Sequence, residues 1–515
     1  MESRTSQSRA WRPQTLAAIA LASFGTSASA TTFTVVNTND SGAGSLRQAI
    51  LDASANAAAG PNTIAFAIPG SGAFTIAPAT RLPNLRGTLT VDGYTQAGSF
   101  PNTLTTDQGG LDTVLKIEIK GTGNGFGFVL ETGTPPADVI VRGLVLNGFG
   151  PHIAGGNAAS RLTVHGSFIG TTLDGLAAVP STSMACINLG GTLQIGGIVP
   201  AQRNLIANCG NGAIVTGNGD TVIEGNLIGT DATGSAPLAN NGNAANAGII
   251  VSSGATAIPH LRIGGASAAA RNVIAANPVG GIALYGAADF AAYASFEIKG
   301  NFIGTDWTGT RAIANGYANT PQFSGGIVLY RSTSHNSAAI IGGFGAGEAN
   351  LIAYNHGAGI VSREGRSGES FDNRGNVIHH NRGVGANVDI APRGPSPNDA
   401  GDADTGANNR QNWPQIETAG IVGNQLALTY RVDSTTAASA YPLRIDFYEN
   451  MQGGSGALLG QDSYPAASAQ QSRTLALTLA PNAKAIPLVA VATDANGYSS
   501  EFSPAFDVIF EDDFD

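Results

Sequence analysis

The chain has 515 residues, of which 70 are glycine, 12% are charged and 42% are hydrophobic. It is too long for one compact core, which usually stops growing near ~250–300 residues, and too hydrophobic for a disordered chain. The net charge of −10 excludes an electrostatic basis for binding nucleic acid or anionic lipid.

The first 30 residues have the pattern of a secretory signal peptide. Three arginines precede a short apolar stretch at 16–22, and Ala28-Ser29-Ala30 forms a small-residue cleavage site. No other apolar run approaches the ~18 residues of a membrane span. We therefore expect a secreted or cell-surface protein with no transmembrane segment after signal cleavage.

Residues 31–87 are expected to close the N-terminal end of the fold. Ser45 and Gln48 form a capping-box pattern at the start of a helix over 45–56. The apolar residues of this segment recur at helical spacing, on one face; they are Leu46, Ala49, Ile50 and Ala53. Such a helix can cover the open end of a repeat array.

Residues 88–395 contain internal repeats. The segment 225–231 recurs at 300–306 and, altered, at 375–381, at an offset of 75 residues. Each repeat holds several short segments with β-branched centres, which predicts three turns of about 25 residues per repeat, or roughly a dozen coils of a parallel β-solenoid. Asn226, Asn301 and Asn376 occupy equivalent positions, and we expect them to stack as a structural ladder.

The chain has two cysteines, Cys186 and Cys209. They lie at different distances from the strands that follow them, so we expect different positions in their coils and two free thiols. A disulfide requires Cα atoms closer than ~7 Å.

The C-terminal part has a different pattern. Residues 396–414 are polar and resemble a linker, and 415–515 contain alternating strands followed by an acidic tail. In Leu443–Tyr448 the apolar residues face one way, whereas Arg444 and Asp446 face the other, which is typical of a sheet with one wet face. We predict a small β-sandwich.

These motifs resemble those of secreted bacterial right-handed parallel β-helix repeat proteins. Residues 45–50, SLRQAI, resemble their SLREAI-type N-terminal segment, and the copies at 225–234 and 300–309 have the form GNxIGTDxTG. Residues 402–414 and 493–502 resemble their C-terminal region, and 509–515 an acidic-aromatic tail. The resemblance implies an all-β fold: a right-handed, pectate-lyase-like parallel β-helix with an N-terminal helical cap and a small C-terminal β-sandwich.

The candidate catalytic or binding residues concentrate where the repeat is interrupted. Residues 363–374 are half charged, and two histidines replace the Gly-Thr of the earlier repeats. The candidates are Arg363, Arg366, Glu369, Asp372, Arg374, His379 and His380. Arginines suit sugar carboxylates, and histidine can move a proton near neutral pH. The alternative is a solvated loop of paired charges. If extended, the two histidines point to opposite faces and do not bind one metal together.

Two further candidate sites lie outside this segment. Tyr285 and Tyr330 end similar strands and are candidates for stacking on sugar rings, although such residues more often cover apolar surface. Asp399, Asp402 and Asp404 resemble the start of a calcium loop without its late glutamate, so the alternatives are a calcium ion and a flexible acidic linker. No other cofactor is expected.

Two functions from different classes remain. The first is binding or adhesion to an extracellular polysaccharide or cell surface, which the export signal and the absence of a complete catalytic motif favour. The second is a polysaccharide lyase or glycoside hydrolase acting on an acidic polysaccharide, which fold analogy suggests. Convergence of several carboxylates, or of an Arg/His pair, in one groove would favour the enzyme.

Overall fold

The computed structural model of the protein describes most of the chain. The described residues are 30–123, 125–179, 185–216, 219–240, 247–253, 258–286, 293–318, 324–331, 338–363, 369–383, 387–390, 394–479 and 487–510. Of the expected signal peptide only residue 30 is described, and of the acidic-aromatic tail at 509–515 only residues 509–510 are. Within the described part of the chain, no helix is long and apolar enough to cross a membrane.

Short strands pair in parallel across successive coils and form three long sheets. The strands of sheet 1 are Thr31–Val35, Asn62–Phe66, Thr88–Asp92, Asp138–Arg142, Arg161–His165, Thr192–Gly196, Thr221–Glu224, Ile258–Gly264, Tyr293–Lys299, Ala339–Gly342 and Phe371–Arg374. Those of sheet 2 in the coils are Phe74–Ile76, Ile117–Lys120, Val145–Asn147, Phe168–Ile169, Leu205–Ile206, Leu227–Ile228, Val273–Ile274, Phe302–Ile303, Leu351–Ala353 and Val377–His379. Those of sheet 3 are Phe128–Leu130, Ile153–Gly155, Ile187–Leu189, Ile214–Thr216, Ala247–Ser253, Gly280–Gly286, Gly325–Arg331, Ala358–Ser362 and Val388–Asp389.

The core is a stack of branched aliphatic side chains inside these coils. In sheet 1 the residues in register from coil to coil are fully buried; they are Val91, Val141, Val164, Ile195, Ile223, Ile263, Ile298 and Ile341. A β-branched side chain packs well on the pleated surface of a strand, and each coil adds one to the stack. The predicted all-β parallel β-helix is confirmed.

The coils are fewer and longer than predicted. Between residues 88 and 390, sheet 1 has nine strands, and the eight register steps from Val91 to Asn373 average about 35 residues. The 75-residue repeat from Ile223 to Ile298 spans two coils and not three. Long connections between short strands account for the difference. Stacking also begins before residue 88, because Thr31–Val35 and Asn62–Phe66 already pair in sheet 1.

Asparagine side chains form two hydrogen-bonded ladders along the solenoid. In the first, each Nδ2 donates to the Oδ1 of the next coil at 2.9–3.0 Å; its members are Asn204, Asn226, Asn272, Asn301, Asn350 and Asn376. The second contains Asn240, Asn277, Asn315, Asn355, Asn381 and Asn387. The predicted ladder is confirmed, and its Nδ2 groups also donate to backbone carbonyls, among them those of Ile195, Ile263 and Ile341.

The N-terminal helix spans Leu46–Ala55 and packs its apolar face on the first coils. All four predicted face residues are buried, as expected for an end cap. Only half of the capping box forms. The Ser45 hydroxyl accepts from the Gln48 backbone N–H at 3.2 Å, whereas the Gln48 side chain donates to Asp52 at 2.8 Å.

The C-terminal strands form a β-sandwich that packs on the last coils. One layer contains Arg473–Thr478, Gln425–Arg431, Gln415–Val422 and Ile509–Phe510. The other contains Gly454–Tyr464, Leu443–Met451 and Leu488–Thr493, and it continues sheet 2 through an antiparallel contact between Ile378 and Ser455. The segment 396–414 is packed and not a free linker, because Asn408 is fully buried and bonds both backbone groups of Phe371.

The prediction of two free thiols is wrong. Cys186 and Cys209 form a disulfide with a Cα–Cα distance of 5.3 Å. Cys186 directly precedes the strand Ile187–Leu189, and Cys209 follows a corner at Asn208, where φ is +55°. The corner returns the chain to the same side of the solenoid, so unequal distances along the sequence do not mean different positions in space.

Candidate functional site

The candidate residues at 363–380 are divided among three places. Arg363 lies on the outer face of sheet 3, beside Tyr330. Glu369 is fully buried and accepts from the Ser362 hydroxyl at 2.7 Å. Asp372 and Arg374 lie at the joint with the sandwich, and His379 and His380 lie at a corner after sheet 2. Arg366 lies outside the described residues.

Asp372 belongs to a buried charge network that holds the sandwich to the solenoid. Its carboxylate contacts Arg374 at 2.6 Å and Arg444 at 2.8 Å. Arg444 also contacts Asp446 at 3.0 Å, and Asp446 is fully buried. The prediction that Arg444 and Asp446 line a wet face is therefore wrong, because the last coil covers that face. The sequence did not predict the contact between Arg444 and Asp372, because neither segment contains a local pattern that indicates the other.

His379 and His380 converge, contrary to the expectation for an extended pair. Their Nδ1 atoms are 2.8 Å apart, because His380 has a φ of +54° and turns its ring back. Asn208, Ala276 and Tyr354 occupy the same left-handed corner in earlier coils. Burial, and secondly the charge of His380, lower the pKa of His379 to about 4. His379 is therefore neutral at physiological pH.

The two predicted tyrosines form a stacked row with Arg363. Tyr285 and Tyr330 are in register on neighbouring strands of sheet 3, with ring centroids 4.4 Å apart and planes 11° from parallel. The Arg363 guanidinium lies 4.3 Å from the Tyr330 ring centroid and donates to its hydroxyl. Tyr330 is 8% exposed, whereas Tyr285 and Arg363 are half-buried. Burial raises the pKa of Tyr285, and the charge of Arg363 opposes this rise. We call these three residues the tyrosine–arginine row.

On the outer face of sheet 1, charged side chains pair with one another. Arg142 contacts Asp92 at 2.5 Å, and Arg262 contacts Glu224 at 3.0 Å. Lys299 contacts a carboxylate from a neighbouring coil at 2.9 Å. These cations are already engaged by the protein's own carboxylates.

The outer face of sheet 2 is partly covered by the segment 94–115. Leu111 and Leu115 pack on the apolar row that includes Val145 and Phe168. Arg203, 2% exposed, holds this segment in place. Its guanidinium donates to four carbonyl oxygens, those of residues 104, 105, 109 and 110, at 3.0–3.1 Å. On this face Arg271 lies 4.2 Å from the ring centroid of Phe302, and it also contacts Asp107 at 2.8 Å. On sheet 3 two tyrosines and a half-buried arginine lie side by side.

The predicted acidic cluster comes together. Asp399, Asp402 and Asp404 each offer a carboxylate oxygen, and these oxygens lie within 4.8 Å of one another. Burial raises the pKa of Asp402 to about 6, and the charge of Asp399 adds to the effect. Arg410 contacts Asp404 at 3.4 Å and offsets part of the repulsion. The cluster can accept a divalent cation, since oxygen ligands suit calcium.

Comparisons with known proteins add little to this description. No protein-family model and no curated protein sequence matches the chain. Among solved structures, the chain is similar to the enzymatically active domain of tailspike protein 2 from bacteriophage CBA120, with 12% sequence identity and a TM-score of 0.29. The match covers 90% of this chain and 73% of that chain. A likeness this low supports no inference about activity, substrate or partner.

Proposed function

We propose that the protein is a secreted or surface-exposed β-helix protein that binds an acidic extracellular polysaccharide on the outer face of sheet 3. The tyrosine–arginine row carries this proposal. Tyr330 has Tyr285 on one ring face and Arg363 on the other, so Tyr285 is the ring offered to a sugar, and the guanidinium fork of Arg363 matches a sugar carboxylate. Residues in register on successive coils stack at about 4.8 Å, so the row runs along the solenoid axis and suits an extended polymer.

Binding has more support than catalysis. Hydrolysis of a glycosidic bond needs two carboxyl groups on either side of the bond. Glu369 and Asp372, the nearest acidic candidates of the described chain, are buried and already bonded to Ser362 and to arginines. Glu369 and Asp372 therefore have structural roles, which weakens the alternative of a lyase or hydrolase.

The first experiment is a calorimetric titration with purified oligosaccharides of similar length. The acidic probe is an oligogalacturonate and the neutral probe is a dextran oligosaccharide. We expect the acidic probe to bind, with an affinity that falls as salt is added, because exposed charge pairs are screened. Tyr285→Leu is expected to weaken binding about tenfold. Equal binding of both probes, or new reducing or unsaturated ends during the titration, contradicts the proposal.

The proposal includes a calcium ion at Asp399, Asp402 and Asp404. Three close carboxylates repel one another, and a divalent cation removes that repulsion. The melting temperature is expected to rise when calcium replaces a chelator, and Asp404→Asn is expected to reduce the rise. A melting temperature that does not respond to calcium favours the acidic segment without an ion.

A further inference from the structure

A cavity of about 290 Å³ lies where the last coil, the segment 394–414 and the C-terminal sandwich meet. Its lining includes Trp413, Pro395, Phe502 and Pro504, with Glu501 as the acidic group. Ligand cavities usually measure about 300–1,000 Å³ and often lie between domains. This cavity is at the lower end of that range, so it fits one sugar-sized ring and not an oligomer.

The carboxylate of Glu501 is fixed at the wall of this cavity. Glu501 is 3% exposed, and its two oxygens accept from the backbone N–H groups of Ile390 at 2.9 Å and Ser396 at 2.8 Å. Each oxygen keeps a second lone pair for another donor. Burial raises the pKa of Glu501 to about 7, and the charge of Asp389, itself 6% exposed, adds to the effect.

The buried carboxylate of Glu501 can be stabilised further by a positive charge. Glu501 receives neutral amide donors, which stabilise its ionised form less than a cation does. A ligand cation in the cavity would favour the ionised form of Glu501. The cavity walls otherwise come largely from apolar side chains, so a cation there is screened less than at the surface.

Trp413 supplies the second feature of a cation site. Its backbone is fixed by two hydrogen bonds with the Asn398 side chain, both 2.9 Å. Its half-buried indole lines the same cavity as Glu501. Tryptophan is the best aromatic partner for an ammonium group and also packs on the face of a saturated ring.

We infer that this cavity binds a protonated amine carried on a hydroxylated six-membered ring, with the ammonium group at Glu501 and the ring against Trp413. Amino sugars and aminocyclitols belong to this class. The site is separate from the tyrosine–arginine row and does not depend on the function proposed for sheet 3.

The test uses two ring compounds that differ in one group. The probe is trans-4-aminocyclohexanol and the control is trans-1,4-cyclohexanediol, each titrated by calorimetry at pH 6, 7 and 8. We expect the amine to bind at least tenfold more tightly than the diol at pH 8. Its affinity should rise about tenfold from pH 6 to pH 8, because a carboxyl with a pKa of about 7 goes from about one-tenth to about nine-tenths ionised.

The variants separate the roles of the two side chains. Glu501→Gln should abolish both the amine preference and the pH dependence, whereas Glu417→Gln, at an exposed position of the sandwich, should change neither. Trp413→Leu should weaken the binding of both compounds. Equal affinity for the two compounds, no binding of either, or amine binding that is independent of pH overturns the inference. If Glu501→Gln does not fold, the pH series on the unaltered protein still tests the inference.

Discussion

Replacing Asn301 by aspartate changes one donor group at the centre of an asparagine ladder. The Asn301 amide is fully buried and donates to the carbonyl oxygens of Ile263 at 2.9 Å and Lys299 at 3.0 Å, and to Asn350 Oδ1 at 3.0 Å. In Asn301→Asp an oxygen faces these three oxygens. The carboxyl must therefore bind a proton, which at pH 7 costs about 4 kcal/mol for a group whose ordinary pKa is about 3.9.

The expected magnitudes depend on pH. Loss of two hydrogen bonds costs about 2 kcal/mol, so Asn301→Asp should lose about 6 kcal/mol at pH 7 and about 2 kcal/mol at pH 4. Asn301→Ala loses the three donated bonds and the two that Asn301 Oδ1 accepts from Asn272 at 2.9 and 3.4 Å, and it cannot be protonated, so it should lose about 5 kcal/mol at both pH values. Alanine is thus the more stable variant at pH 7 and the less stable one at pH 4.

Urea unfolding followed by circular dichroism at both pH values measures these differences. The matched control is Asn39→Asp, at an exposed loop position, which should change the unfolding free energy by less than about 0.5 kcal/mol. A variant Asn301→Asp that is as stable as the original protein at pH 7 would refute the ladder. A loss of unfolding free energy in Asn301→Asp that is no smaller at pH 4 than at pH 7 would also refute the ladder.

Three further predictions concern the disulfide, the contact between the sandwich and the last coil, and the pH dependence of stability. Labelling the unfolded, unreduced protein should find no free thiol, and two labelled thiols would contradict the disulfide. Cys186 and Cys209 are 23 residues apart, and replacing both by serine should lower the unfolding free energy by about 3 kcal/mol. Arg444→Met should cost about 4 kcal/mol in urea unfolding, because it leaves Asp372 and a second buried carboxylate without their shared cation; a loss below 1 kcal/mol contradicts it. The folded-state pKa of Glu501 is about 7, above the ordinary 4.5, so its neutral form favours folding at low pH. Glu501 should therefore contribute a fall of about 3 kcal/mol in stability as pH rises from 4.5 through 7, and Glu501→Gln should make the observed fall smaller by that amount. An unchanged pH profile in the variant counts against this prediction.

The repeating parts of the fold could be predicted from the sequence because each depends on local pattern. Leu46 and Ile50 follow helical spacing, and both are buried in the end cap. Asn226, Asn301 and Asn376 occupy equivalent repeat positions, and equivalent positions stack when coils stack. The coil length could not be derived in this way, because a 75-residue repeat is compatible with two long coils or three short ones.

The candidate site was harder to predict because it depends on distant partners. Composition identifies 363–374 as an interruption of the repeat, but it does not show that Asp372 meets Arg444, 72 residues later. The His379 and His380 rings converge only because one residue takes a left-handed corner. The Tyr285–Tyr330 pair was more accessible to sequence analysis, since both residues end similar strands and therefore fall in register.

The measurement that tests the central claim most directly is binding of an oligogalacturonate to Arg363→Gln, compared with Arg161→Gln. Arg161 is an exposed arginine on sheet 1, so its replacement removes the same charge from a different face. The proposed function predicts at least a tenfold loss of affinity for Arg363→Gln and no change for Arg161→Gln, with both variants folded by circular dichroism. Equal affinities of the two variants would contradict binding at the tyrosine–arginine row.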